Sequence, residues 1–372
     1  MRRSLVLFFL AAGVPFAVAV AVFLWSHWPH VVTDPVAYAR LLRREGPLDW
    51  SISTTLWKQT LARDPSCAEA DTVVIGSSRT REVGAEVLGT PAGVCNLYVN
   101  NLTAPVFARI TEALPAARGG RRVAYVGIDH FFFWREPDDR TALAIAETSL
   151  PLWRAYSVLD SLGRLTLPHL ATLRQPPAAR FDDETILHYV NGEAFHPRYY
   201  ASKRAGRFSR IASQRLVTAI LVHFQETASA GVRPRHVEQF EEGLARLRRN
   251  GYEIRLFWNP LVSPYYELAR RSYPHLLEAA TEAVEDLAAR GAVDRYAGSR
   301  HLDATSLGCT ERDYLDAHHV DIDCLRKFFT AAFDVPAWTG SVPLSEMVAT
   351  MRSQRYAVAG SGALLQPPRG GP

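Results

Sequence analysis

The chain lacks a charge surplus of one sign, lacks a second long apolar run and holds only four cysteines in 372 residues. Each shortage excludes something. The formal net charge is +4, from 42 basic and 38 acidic residues, too small and too mixed for a nucleic-acid footprint. The four cysteines, Cys67, Cys95, Cys309 and Cys324, have no C-x-x-C spacing, which argues against a dedicated zinc cage. No internal repeat is present. Wholesale disorder is excluded too, because 48% of the residues are hydrophobic and supply a sizeable core.

The one long apolar run is at the start. Arg2 and Arg3 precede a charge-free stretch from Leu5 to Trp25. As a helix it would measure about 31 Å, close to the thickness of a hydrocarbon core. Pro15 is tolerated in such a helix, Trp25 and Trp28 suit the far interface, and the arginines suit the cytoplasmic side. Residues 1–29 are therefore expected to form a single-pass anchor in the cytoplasmic (inner) membrane, with the body on the outer side. Ala17-Val18-Ala19 keeps a cleaved signal peptide open as the second reading, and both readings export the protein. Export permits disulfides. Of the three pairings possible on paper, the sequence-local one, Cys67–Cys95 with Cys309–Cys324, is expected; four free apolar thiols are the alternative.

Past the anchor, residues 30–66 read as a helical lead-in, with PVAYARLLRR and TTLWKQTLAR at helical spacing. Five strands are expected at TVVIG, Val94–Val99, Arg121–Asp129, Tyr252–Asn259 and, more weakly, Ala292–Gly298. Helical patterns separate them: APVFARITEALPAA, HVEQFEEGLARLRRNG with an Asn-Gly stop, and PHLLEAATEAVEDLAARGA. This alternation predicts an α/β domain over 67–340, a mostly parallel sheet with helices on both faces. Residues 134–235, rich in proline, arginine and aromatics, break the rhythm and read as a helical insertion or cap after strand three. Residues 341–372 form a tail that ends in a Gly/Pro-rich, disorder-prone stretch. Ligands bind at the carboxyl ends of such strands. That rule places Gly76-Ser77-Ser78, Asn100-Asn101, Asp129-His130 and Trp258-Asn259 on one rim.

The stretch DTVVIGSSRTREVG leaves a β-branched strand through glycine and two serines. Two readings are open: a helix N-cap, or a serine displayed for nucleophilic chemistry. A phosphate cradle is disfavoured because Gly76 has no second glycine at the required spacing. The G-x-S-x-G elbow is absent because residue 80 is threonine. A serine nucleophile needs a base and a group that orients the base. Near the C-terminus, YLDAHHVDIDC offers Asp316 and His319 at D-x-x-H spacing, where one short turn sets the carboxylate beside its own imidazole. The pair precedes CLRKFFTAAF, expected to be the final helix, and a Cys309–Cys324 bridge would close a loop around it, worth about 3 kcal/mol by the chain-entropy argument. Asp321 and Asp323 are expected to cap that helix. A metal site from Cys309, Asp316, His318, His319, Asp321 and Cys324 is the competing reading of the cluster. Arg79 is either a surface residue or a holder of an anionic or polar group. Asp129 and His130 either end strand three or touch substrate, and HFFFW is expected in core or cap packing.

A strand ending in Gly-x-Ser near the start of an α/β domain, with Asp-x-x-His near its end, resembles the SGNH (GDSL-type) hydrolases. IGSSRT, VCNLYVNNLTAP, VAYVGIDHFFF and RLFWNPLVSPYYE are more specifically similar to the membrane-anchored branch, which includes the teichoic-acid D-alanyl transfer and alginate O-acetylation proteins. The resemblance covers roughly residues 70–130 and 250–335. It implies a three-layer, flavodoxin-like fold and assigns Ser78 as nucleophile, His319 as base and Asp316 as its orienting acid. The Ser78 N–H would contribute to the oxyanion hole. The family's aspartate between glycine and serine is Ser77 here. Its oxyanion glycine is replaced by Asn100-Asn101, of which Asn101 is the candidate donor. Its Gly-x-Asn-Asp block is represented only by GIDH, with Asp129 at the rim. The implied activity is a cofactor-free, metal-free esterase or O-acyltransferase on a cell-envelope polysaccharide or polymer. A multi-span membrane acyltransferase is the implied partner. The alternative is a catalytically silent envelope protein that binds glycan or scaffolds an acylation complex.

Overall fold

A computed structural model describes residues 38–40, 42, 43, 54–90, 93–117, 122–135, 187–189, 191–195, 200, 231–316 and 319–351. The expected anchor, most of the 134–235 insertion and the GSGALLQPPRGGP terminus lie outside the described residues. Among the described residues no helix is long and apolar enough to cross a membrane.

Thr72, Val73, Val74 and Ile75 are β-branched without a break, which suits a strand covered on both faces. They form β1 (Thr72–Ile75), buried throughout. Beside it stand β2 (Val94–Asn96), β3 (Arg122–Ile128), β4 (Tyr252–Trp258) and β5 (Arg295–Tyr296). The five strands make one sheet in the order β2-β1-β3-β4-β5, every neighbouring pair parallel. The expected α/β class is present, and its sheet is wholly parallel. The chain places β2 on one side of β1, then crosses to β3 on the other, so a switch point opens between the carboxyl ends of β1 and β3. β2 stops earlier than expected. Bonds to β1 nonetheless run on past it, from the Leu97 amide to the Val74 carbonyl at 2.7 Å and from the Val99 amide to the Gly76 carbonyl at 2.8 Å, while on the outer edge the Asn96 amide donates to the Asn191 carbonyl at 2.8 Å and its carbonyl accepts from Lys58 Nζ at 2.9 Å.

The helices are α1 (Thr54–Ala62), α2 (Pro65–Ala68), α3 (Ala85–Leu88), α4 (Ala104–Ala113), α5 (Pro234–Arg249), α6 (Ser263–Ser272), α7 (Pro274–Ala289) and α8 (Ile322–Phe333). α4 packs on α5 and α1, through Phe107 against Phe240; α8 packs on α3. Along β3 and β4 the side chains alternate. Tyr125 and Phe257 turn to Phe329 and Phe333 of α8 and anchor that helix to the sheet. α5 ends at the expected Asn-Gly, where Gly251 takes the left-handed conformation with φ 84. The aromatic run Phe131–Trp134 is buried in the core. CLRKFFTAAF is not the last helix: residues 344–351 are also helical, and Leu344 and Val348, one turn apart, are buried.

The described piece of the insertion differs from the helical expectation. Leu187–His188 and Ala194–Phe195 form an antiparallel ribbon. Its turn runs through Asn191-Gly192, with Gly192 at φ 89, an Asn-Gly signal that the coarse reading passed over. The ribbon docks beside the end of β1, where the Ala194 amide donates to the Arg81 carbonyl at 2.9 Å.

Candidate active site

β1 delivers the chain to Gly76, and a 3₁₀ turn, Ser78–Thr80, follows at once. The two readings of the serine pair fall on different serines. Ser77, 1% exposed, is the cap, and its hydroxyl accepts from the Arg79 amide at 3.2 Å. Ser78 is half-buried, with its hydroxyl turned to the imidazole: Ser78 Oγ lies 2.9 Å from His319 Nε2.

Such a tight exit needs bare backbone. A Cβ on Gly76 would come within 2.4 Å of Thr80 Oγ1, and one on Gly127 within 2.6 Å of Asn259 Oδ1 and 2.8 Å of Thr80 Cγ2. Thr80 is thus wedged over two adjacent strand ends, and its hydroxyl donates to the Ser77 carbonyl at 2.9 Å. Asn96, fully buried at the end of β2, secures the far side of the turn. Its amide donates to the carbonyls of Thr80 at 2.8 Å and Val83 at 2.9 Å, and more weakly to that of Arg81 at 3.4 Å.

The base sits on a loop that its own sequence shapes. Tyr314 and Val320 form an isolated antiparallel bridge, and the Leu315 amide donates to the His319 carbonyl at 2.9 Å. The Asp316 carboxylate accepts twice from one residue, the His319 amide at 2.7 Å and His319 Nδ1 at 2.6 Å. This fixes the tautomer with the proton on Nδ1 and leaves Nε2 to accept from Ser78. Two residues on, Asp321 caps α8 by accepting from the Cys324 amide at 2.9 Å. Asp323 does not cap it; its carboxylate is taken by the amide and hydroxyl of Ser345. Cys309 and Cys324 are bonded to each other, as are Cys67 and Cys95. Their thiolates are therefore withdrawn from the metal reading. Among the described residues no histidine, cysteine and carboxylate group is arranged to hold a metal ion. His318, another member of that reading, lies outside them.

Burial draws the His319 pKa below the ordinary histidine value; Asp316 pulls it up, and the charges of Arg81 and Arg79 add to the lowering. The imidazole is accordingly neutral at pH 7, the form that accepts a proton.

The remaining rim residues take other parts. Arg79 is neither surface residue nor open anion holder: it is 6% exposed and pairs with Asp129 at 2.8 Å, over the ring of Tyr265. Burial alone lowers its pKa, but Asp129 offsets that and holds it above the ordinary arginine value. Asp129, 1% exposed, also accepts from Asn259 Nδ2 at 3.1 Å, so this residue of GIDH is an internal partner. Asn259 Nδ2 also reaches Ser77 Oγ at 3.3 Å. His130 is buried against Tyr265, its Nε2 being 3.0 Å from the hydroxyl, and burial, Arg79 and Arg135 keep its pKa well below normal. Asn100 is exposed, and Asn101 holds a left-handed conformation with φ 53.

Beside Ser78 lies a narrow crevice, too tight in this conformation to admit a water molecule. Its polar wall is Ser78, Arg79, Arg81, Glu82 and His319, and Leu315, Val320 and Leu325 make the apolar side. Asn100 and Asn101 do not line it. Sequence reading gave no role to Asn96 or Arg81 and set Asn259 on the rim without a partner. For Asn96 the signal was available, since a lone amide inside the apolar VCNLYV is a polar group bound for burial.

No protein-family model and no curated protein matches the chain. What the arrangement can do follows from its chemistry: a hydroxyl, a neutral imidazole and a carboxylate are aligned for proton removal from an alcohol.

Proposed function

We propose that this protein is an exported, membrane-anchored serine esterase or O-acyltransferase of the SGNH type, acting on a cell-envelope glycan or polymer. One observation carries the reading: the chain from Ser78 Oγ through His319 to Asp316, with spacings of 2.9 and 2.6 Å. Ser78 Oγ attacks an ester carbonyl, its proton passes to His319 Nε2, and the carbonyl π pair moves onto oxygen. Collapse of the tetrahedral centre expels the alcohol, which takes the proton from Nε2, and leaves acyl-Ser78. A second hydroxyl then gives its proton to His319 Nε2 as its oxygen bonds to the acyl carbon, and Nε2 passes that proton to Ser78 Oγ as the acyl–serine bond breaks. With water the outcome is hydrolysis; with a sugar hydroxyl it is transfer. The resemblance to the anchored branch favours transfer and a multi-span acyltransferase as partner.

A fluorophosphonate probe tests this on the full chain in detergent. Ser78 should become labelled, while Ser78→Ala and His319→Ala should not. Absent labelling, or labelling that survives in Ser78→Ala, would remove the reading. A silent glycan-binding protein is the second possibility, favoured by the narrow crevice and by the engaged amides of Asn96 and Asn259. It predicts glycan binding with no labelling.

A further inference from the structure

An ester attacked by Ser78 develops negative charge on its carbonyl oxygen, and donors must meet it. The nearby side-chain amides are already engaged. Asn96 Nδ2 serves the carbonyls of the nucleophile turn, and Asn259 Nδ2 serves Ser77 and Asp129. At the GIDH position Asp129 offers only an acceptor, and it is paired with Arg79.

Arg81 is different. Its side chain is 9% exposed, and among the described residues no hydrogen bond leaves its guanidinium. Glu82 stands 4.0 Å from Arg81 Nε, beyond hydrogen-bond reach, and receives the Tyr200 hydroxyl instead. None of its nitrogens is sealed from solvent, unlike Arg122 Nη1 and Arg326 Nε, so its donors stay open on the crevice side, where a ligand oxygen can meet them. Arg81 also lies three residues after Ser78 at the end of the 3₁₀ turn, with its amide 3.4 Å from the Ser78 carbonyl. Side chains at i and i+3 eclipse in that geometry. Both residues line the same crevice. The backbone at Arg81 is pinned from two sides, by the Ala194 amide and by Asn96.

We infer that Arg81 is a catalytic residue that, with the Ser78 amide, donates to the oxyanion formed on the acyl carbonyl. This rests on the esterase or transferase reading above and gives it an electrophile that the family pattern does not supply. As Oγ bonds to the carbonyl carbon, the displaced π pair comes to rest on an oxygen facing the guanidinium. The pair returns to the C=O bond when the alcohol leaves. The cation also faces His319, and Arg79 and Asp129, Glu82 and Asp316 are the other charged groups around that imidazole and its crevice.

The test is the rate of Ser78 phosphonylation in the full chain, followed by kcat and KM for a neutral ester, 4-nitrophenyl acetate. Arg81→Met should slow labelling about 100- to 1,000-fold and lower kcat with little change in KM. Arg81→Lys should recover at least about a tenth of the wild-type rate, because it returns the charge. An ester carrying a carboxylate on its alcohol should lose the same factor as the neutral one. Labelling of Arg81→Met within about threefold of wild type overturns the inference, as does a loss confined to KM or to the anionic ester. Should Arg81→Met not fold, the phosphonylated wild-type structure decides. The phosphoryl oxygen must lie within hydrogen-bond distance of the guanidinium, and an oxygen held by other groups overturns the assignment. Wild-type protein that is never labelled defeats the proposed function itself, a result distinct from any of these.

Discussion

The turn that carries Ser78 and the loop that carries His319 meet at 2.9 Å, yet they are held in opposite ways. The serine turn is fixed from afar: Gly127 beneath Thr80, Asn96 across its carbonyls, Asn259 on Ser77 and the ribbon on Arg81. The histidine loop is fixed from within. It has an i,i+3 carboxylate, a short bridge, a helix cap two residues on and a disulfide spanning 15 residues. The nucleophile therefore depends on the integrity of the sheet's carboxyl edge, and the base on a few neighbours in sequence.

Four perturbations separate these dependencies. The largest effect should come from Asp316→Asn. Loss of the carboxylate frees the tautomer and should slow labelling about 10³- to 10⁴-fold with little change in melting temperature. The reverse profile is expected for Asn96→Ala, which strips buried carbonyls of their donor. Denaturant unfolding should show a loss of about 2–4 kcal/mol, with labelling falling only as the folded fraction falls. If Asn96→Ala is as stable as wild type, the long-range hold on the serine turn is overstated.

The disulfides sharpen the contrast. Replacing either cysteine pair by alanines should cost about 3 kcal/mol, the spans being 28 residues for Cys67–Cys95 and 15 for Cys309–Cys324. Only loss of Cys309–Cys324 should also slow labelling of the folded protein, by about tenfold, because only that bridge encloses the base. Equal slowing by both would erase the distinction.

The smallest effect is on pH. The folded-state pKa of His319 lies below 6.5, so labelling should persist as the pH drops past 6.5 and fail only as the lowered value is reached. The sign for stability follows. The unfolded chain takes up the proton first, so the His319 contribution is intact above 6.5 and is lost on acidification toward the folded value. His188, lowered to about 3 by burial and the charges of Lys58 and Arg81, and His130 act in the same direction. Labelling normalised to the folded fraction isolates His319. A rate that already halves at or above pH 6.5 would contradict the lowered value.

The same contrast explains what sequence reading reached. Asp316, His319 and Asp321 interact within a few residues, so spacing alone brings them into view. Cys309 and Cys324 are near enough in sequence for their pairing to be expected. The strands were visible because β-branched runs alternate with helical periods, although β2 and β5 came out shorter. Backbone bonds to the neighbouring strands still run past both, from the Leu97 and Val99 amides to β1 and from the Asp294 and Ala297 amides to β4, so the expected lengths were close to the paired lengths. For Arg79 the partner stayed hidden because Asp129 is 50 residues away, and only β3 lying against β1 joins them. Arg81 was overlooked because an arginine in a charged stretch reads as solvated, while its burial comes from a ribbon more than a hundred positions later.

Lys58 carries a practical lesson about where this protein can be cut. From the lead-in helix α1 its Nζ reaches the carbonyls of Asn96 and Gly192 and lies over the Tyr98 ring, with Trp57 and Leu61 buried around it. A truncation beginning at the first cysteine would strip away the plug while leaving the socket, so any expression boundary belongs upstream of Thr54.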